Sequence, residues 1–219
     1  MRNAWPVRSW ALLLSLILGS GSIFGCAFVD RRVTLTPPTT IPQISTPSSP
    51  SSGERTISVA RPQDLRPDPT TVGNIRNGYG IVTASVRSNT DIPMWMASSI
   101  IQGLERTGFR IERVETVETA STPIALDIAV SRVFTEHAPG FLRLTAKGDV
   151  AAQVEVYKDG TRILRRTYTG KYENPEFFTT TSANEYQTLL DAAMKDFLQK
   201  TLPDLVRVLD RALEESSQE

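Results

Sequence analysis

One cysteine, one histidine and a short charged loop are the groups in this 219-residue chain whose types and spacing suggest chemistry. Cys26 closes the apolar string Ile23-Phe24-Gly25-Cys26 and has no second thiol to pair with. Such a thiol is placed for covalent modification, not for an internal disulfide. His137 stands in Glu136-His137-Ala138-Pro139-Gly140, which reads as a turn. A zinc site takes about four nitrogen, sulfur or carboxylate ligands, and one histidine with one remote cysteine does not build the usual kind. Asp64, Arg66 and Asp68, with Arg76 further on, form the charged cluster. Calcium needs about six to eight oxygens at defined spacing. This loop lacks that pattern, and the four residues read as ion pairs that pin it. No phosphate loop, Gly-x-Ser-x-Gly elbow or dinucleotide glycine string is present. The expectation is a non-enzymatic protein with no cofactor and no metal.

The first 25 residues have the three parts of a secretory signal. Arg2 and Arg8 supply the charged start, Trp10–Leu18 the apolar core, and Gly19–Ser22 the break. That core is shorter than the roughly 20 residues a bilayer span takes. The string ending at Cys26 resembles the lipobox of bacterial lipoproteins. The resemblance implies a diacylglyceryl thioether on Cys26 and an acylated amine, with palmitate as the type of chain. Two or more acyl chains anchor stably where one does not. The residue after the cysteine is Ala27 and not Asp. By the same resemblance this points to the outer membrane, facing the periplasm.

The chain carries 24 basic and 24 acidic residues. Loss of the signal removes Arg2 and Arg8 and leaves a slightly acidic protein. Phosphate affinity needs a basic footprint, so nucleic acid is not an expected partner.

Residues 26–53 read as a lipidated tether, because Thr36–Gly53 is rich in Pro, Ser and Thr and poor in large apolar groups. At about 3.1 Å per residue that stretch would reach roughly 55 Å and hold a domain off the membrane. The domain is expected over 54–213, with 214–219 as a frayed tail. Thr56–Arg61 alternates like a strand, 62–78 reads as a long loop, and Ile81–Arg87 as a second strand. Asn89, Thr90 or Asp91 can cap a helix from about Ile92 to Thr107, stopped by Gly108. Strands follow at 109–114 and 124–130. Leu142, Leu144, Ala146, Gly148, Val150, Ala152, Val154 and Val156 share one phase of a long strand, with charged residues in the other. Asp159-Gly160 suits a type I′ hairpin turn before the return strand 162–172. Ser182-Ala183-Asn184-Glu185 fits a capping box. The following helix has Tyr186, Leu189, Leu190, Ala193, Met194, Phe197 and Leu198 on one stripe, with a kink or restart at Pro203. The fold expected is α+β: an antiparallel sheet with two helices packed on one face, after a signal peptide and a disordered tether.

Two surfaces are candidates for binding a partner. An unbulged Asp159-Gly160 hairpin pairs Val156 with Ile163 and Ala151 with Tyr168. Its solvated face then carries Tyr157, Arg162, Arg166, Tyr168 and Tyr172, residue types that dominate interface hot spots. A bulge would flip that register. Trp95 falls nearly opposite the helix stripe Ala97, Ile100, Ile101 and Leu104. It is either an exposed anchor or covered by the 62–78 loop.

Several strings resemble the YajG-type lipoprotein family of bacterial envelopes. They are the lipobox at Cys26, Asp64-Leu65-Arg66-Pro67-Asp68, Ile75-Arg76-Asn77-Gly78-Tyr79-Gly80, Arg106-Thr107-Gly108-Phe109, and the long hairpin with its final helix. A weaker likeness is to the auxiliary lipoproteins of ABC-type transport systems. The resemblance implies a compartment and a fold more than an activity. The expected function is a membrane-anchored binding or accessory module that meets an envelope protein or itself. The alternative is a lipid- or glycan-handling subunit of a transport system, which needs an apolar groove between helices and sheet.

Overall fold

The computed structural model describes residues 29–38, 55–77, 79–140, 143–176 and 183–216. Cys26, the signal region, residues 39–54 and Ser182 lie outside them.

The described elements are β1 (Arg31–Val33), β2 (Thr56–Ala60), β3 (Gln63–Asp64), β4 (Thr71–Arg76), β5 (Val82–Ser88), α1 (Ile92–Arg106), β6 (Arg110–Val114), β7 (Ile124–Gly140), β8 (Arg143–Lys158), β9 (Thr161–Glu176) and α2 (Ala183–Ser216). All nine strands join one sheet organised around β7. Along one edge of β7 run β2, β3 and β4 in succession, each parallel to it. Along the other edge runs β8, antiparallel, and then β9. Outside β2 lies β6, parallel, and outside β4 lies β5, antiparallel. β1 then adds parallel to β5.

The class is α+β with two helices, but the sheet is mixed, not antiparallel. The parallel pairs join strands far apart in the chain: β2 reaches β6 only through β3, β4, β5 and α1, and β4 reaches β7 only through β5, α1 and β6. Connections of that length allow parallel neighbours, which a tight hairpin does not. The 62–78 segment is likewise not a plain loop. Its backbone groups need partners, and they find them along β7, where β3 and β4 form and the Leu65 N–H donates to the Val130 carbonyl at 2.8 Å.

α1 starts where Asp91 accepts from the Met94 N–H, with Pro93 in the first turn, where its missing N–H costs nothing. Gly108, at φ +92°, ends it. α2 runs unbroken through Pro203, whose ring lies on its exposed side, and continues to Ser216, so the expected restart and the expected fray at 214 do not occur. The stripe from Tyr186 to Leu198 is buried as its spacing requires. The two helices meet where Gly103 leaves room for Leu202. α2 lies so close on the ribbon that a Cβ on Gly148 or Gly170 would fall 2.4 Å or 2.2 Å from a helix carbonyl oxygen.

The tether begins later than its expected start. Residues 31–38 belong to the fold, with Val33 and Leu35 buried and β1 paired to β5. The Leu35 N–H donates to Thr90 Oγ1. At the other end of the Pro-rich stretch, Arg55 donates to the Thr107 carbonyl, stacks on the Phe109 ring at 4.0 Å and pairs with Asp210. Both ends of residues 39–54 are therefore fixed to the same domain. β1 lies between Cys26 and the Pro-rich stretch in the chain.

Candidate functional site

The groove in question lies between α1 and the ends of β2 and β6, with a volume of about 400 Å³. Its floor is apolar: Val59 and Ala60 from β2, Met94, Ala97 and Ile101 from α1, and Val114 from β6. Its rim is charged: Arg61, Arg113 and Glu115. The register explains the rim. Val59 pairs with Arg113, so Phe109, Ile111 and Arg113 share the phase of β6 that turns toward α1. The first two pack on the core, and the third reaches the open end. Arg61 pairs with Glu115 at 3.7 Å, both well exposed, a contact worth little in water. Arg113 has no ion pair or hydrogen bond to a described residue. The rim thus has one uncompensated cation above an apolar floor. That arrangement suits an amphiphile with an anionic head.

On the sheet face away from the helices, Glu155 is a second centre. It accepts from Tyr157 Oη at 2.6 Å, Arg162 at 3.2 Å and Gln153 at 3.0 Å, and pairs with Arg165 at 3.2 Å. Burial pushes its carboxyl up, but the hydrogen bonds from Tyr157 and Arg162 hold it below the usual range. Opposite it across the β7–β8 ladder stands Asp127. Burial, helped by the charges of Glu155 and Glu118, raises that carboxyl despite the Ile128 N–H, and its Oδ1 has no partner among the described residues.

The expected Tyr/Arg face is divided. The Asp159-Gly160 turn forms, with φ +49° and +76°. A bulge at Ile163 follows at once: Tyr157 pairs with Arg162, but Val156 pairs with Leu164 and Ala152 with Tyr168. The bulge turns Leu164, Tyr168 and Gly170 beneath α2. Without it, Arg165, Thr167, Thr169 and Lys171 would be there. Tyr168 is consequently buried, and it and Arg166 both donate to Asp204 of α2. Tyr157 and Arg162 lie on the opposite face with Glu155, and Tyr172, half exposed, is on the α2 side near His137.

Trp95 is also no exposed anchor, at 2% exposure. The segment at 33–36 reaches over it: the indole N–H donates to the Thr36 carbonyl. Ser99, one turn further on, is satisfied internally, its Oγ donating to the Trp95 carbonyl at 2.8 Å.

His137 is not in a turn. It lies in β7, 3% exposed, with its ring edge-on to Tyr186 at 4.6 Å. Pro139 and Gly140 are paired strand residues as well. Asp64 and Arg66 form a two-point pair, and Arg66 also donates to the Pro69 carbonyl. Asp68 instead accepts from the Thr70 and Thr71 N–H groups. Arg76 pairs with Glu136 on the face opposite His137. Asp64 pairs beside Val130 and Ile75 beside His137, so the two regions sit seven β7 positions apart, roughly 23 Å. Asp64, Asp68, Arg76 and His137 do not gather into one cleft. No group of three or more metal-ligating side chains occurs among the described residues.

Sequence reading did not single out Arg113. The available signal was an arginine in the apolar phase of a strand, after Phe109 and Ile111.

Over residues 42–205 the sequence matches a family described as uncharacterized lipoprotein, and the chain belongs to that family. It is a bacterial lipoprotein, associated with the cell envelope through a lipid anchor. No match was found among curated proteins. Among solved structures it is similar to a protein from Xanthomonas campestris, at 18% identity over 87% of this chain and 99% of that one, with a TM-score of 0.47. A minor lipoprotein from Acinetobacter baumannii is similar at 12% identity, covering 70% and 94%, with a TM-score of 0.41. A lipoprotein from Neisseria meningitidis is similar at 12% identity, covering 66% and 99%, with a TM-score of 0.35.

Proposed function

We propose that this protein is a non-enzymatic binding module of the YajG type, anchored through Cys26 to the outer membrane and facing the periplasm. The observation that supports it is the groove under α1, with its apolar floor and the unpaired Arg113 at its rim. Its ligand is a single-chain amphiphile with a phosphate or carboxylate head, such as part of a lipid or of a lipid-linked glycan. The module then serves as an auxiliary subunit that holds such a molecule for an envelope transport system. The test uses the mature chain with Cys26→Ser, titrated with dodecyl phosphate and followed by native mass spectrometry and amide shifts. One bound molecule with shifts at Met94, Ala97 and Val114 is expected. Arg113→Glu should weaken it about tenfold, the value of one charge-assisted hydrogen bond. Binding that neither Arg113→Glu nor Ala97→Phe changes would remove the groove from the reading.

A second reading, docking of an envelope protein, is favoured by the outer face of β7–β9, where Tyr157, Arg162 and Arg165 surround Glu155. A photo-crosslinker at Thr167 on that face would capture the partner in cells. Self-adducts alone would mean self-association.

A further inference from the structure

Four of the exposed large apolar side chains among the described residues lie at one end of the sheet: Val29 at 54% exposure, Tyr79 at 92%, Ile81 at 61% and Val82. Three of them form the β4–β5 turn. β1 runs parallel to β5, with Arg31 level with Val86, so its N-terminal end points toward the same end of β5 as that turn. Asp30 fixes this approach by accepting from the Ser85 N–H at 2.8 Å and from Arg87 at 3.0 Å. Cys26 precedes Val29 by three residues. Fully extended, they reach at most about 11 Å.

The turn is built to hold its shape. Asn77 Oδ1 accepts from the N–H groups of Tyr79 and Ile81, both at 3.0 Å, and the Asn77 N–H donates to the Ile81 carbonyl. Gly80 takes φ +78°, and its carbonyl accepts from Arg76, itself held by Glu136. These backbone groups are already paired, which lowers the cost of leaving bulk water. A tyrosine beside aliphatic side chains is the composition that settles at a membrane interface. Arg32, exposed beside Asp30, adds a cation for anionic headgroups.

We infer that the Tyr79–Val82 turn together with Val29 is a membrane-docking edge that enters the headgroup layer of the bilayer carrying the lipid anchor. The inference rests on Cys26 as the anchored residue. It places the domain against the membrane, with the β1–β5 edge down.

The test uses the full mature lipoprotein in phosphatidylethanolamine–phosphatidylglycerol vesicles. Bimane is attached at Tyr79→Cys or, as a control, at Thr167→Cys. Brominated acyl chains are expected to quench position 79 several-fold more than 167, and aqueous iodide the reverse. Equal iodide access at the two positions would overturn the docking edge. So would shielding of 79 from iodide without quenching by brominated lipid, which would mean a protein cover. The mass of the N-terminal peptide from the same sample reports acylation independently. Acylated Cys26 with an unquenched position 79 overturns only the docking edge, whereas an unmodified Cys26 overturns the anchor and this inference together. In the unlipidated Cys26→Ser chain, Tyr79→Ser with Ile81→Ser should lower vesicle partitioning about tenfold, as expected for losing part of two apolar burials.

Discussion

The Trp95 indole N–H donates to the backbone carbonyl of Thr36 across 2.9 Å. That bond ties the segment that follows β1 to the first turn of α1. It makes residues 31–36, and not residue 55, the place where the described fold begins. Trp95→Phe removes that hydrogen bond and leaves space where the buried indole ring packed. The expected cost is about 1–3 kcal/mol, read from the urea midpoint. A chain starting at Arg55 should shift Trp95 emission to the red and raise its quenching by iodide. An unchanged spectrum would mean that residues 31–36 do not cover it.

Gly170 sets how closely α2 approaches β9. Its missing Cβ would stand 2.2 Å from the Ala193 carbonyl oxygen, a backbone atom that cannot swing away. Gly170→Ala should destabilise by about 1–3 kcal/mol or more. Gly160→Ala tests the contrast: nothing lies within 4 Å of it, but its φ is +76°. It should cost only the backbone term of about 1 kcal/mol.

Tyr168 and Arg166 share Asp204 as acceptor. Burial, opposed by those hydrogen bonds, leaves the Asp204 carboxyl below its usual range, while the Tyr168 hydroxyl is pushed up. Tyr168→Phe should cost about 1.5 kcal/mol at neutral pH, as for a hydrogen bond to a charged group. Asp204 contributes above its unfolded value near 3.8, and that contribution is lost as pH falls through the lower folded value. The penalty of Tyr168→Phe should therefore shrink in acid. A pH-independent penalty would point to packing alone.

Asp127 has the opposite sign. Its folded carboxyl holds a proton more tightly than the unfolded one, so it lowers stability as pH rises from about 3.8 through the raised value. Asp127→Asn should be more stable than the parent at pH 7 and nearly equal to it near pH 4. The site is half buried and screened, which keeps the gain under about 1 kcal/mol. Urea midpoints at the two pH values measure it. A variant less stable at pH 7 would show that Asp127 is needed as an anion beside Glu155.

Local chemistry in the sequence determined the elements. Asp91 and Gly108 mark the ends of α1, the 3.6-residue stripe of α2 is buried where it predicts, and the two-phase pattern of β8 and the Asp159-Gly160 turn appear as read. These depend on neighbours within a few residues, and such signals survive in a single sequence. The tertiary structure decided what covers what. Whether β9 bulges at Ile163 depends on whether α2 needs Gly170 beneath it. Whether Trp95 is wet depends on a strand some sixty residues away. The 62–78 segment gains partners only because β7 presents a free edge to it. The groove needs Arg113 and Met94 brought together from different elements. Each of these turns on a contact between segments far apart in the chain, where burial and backbone pairing outweigh the local pattern.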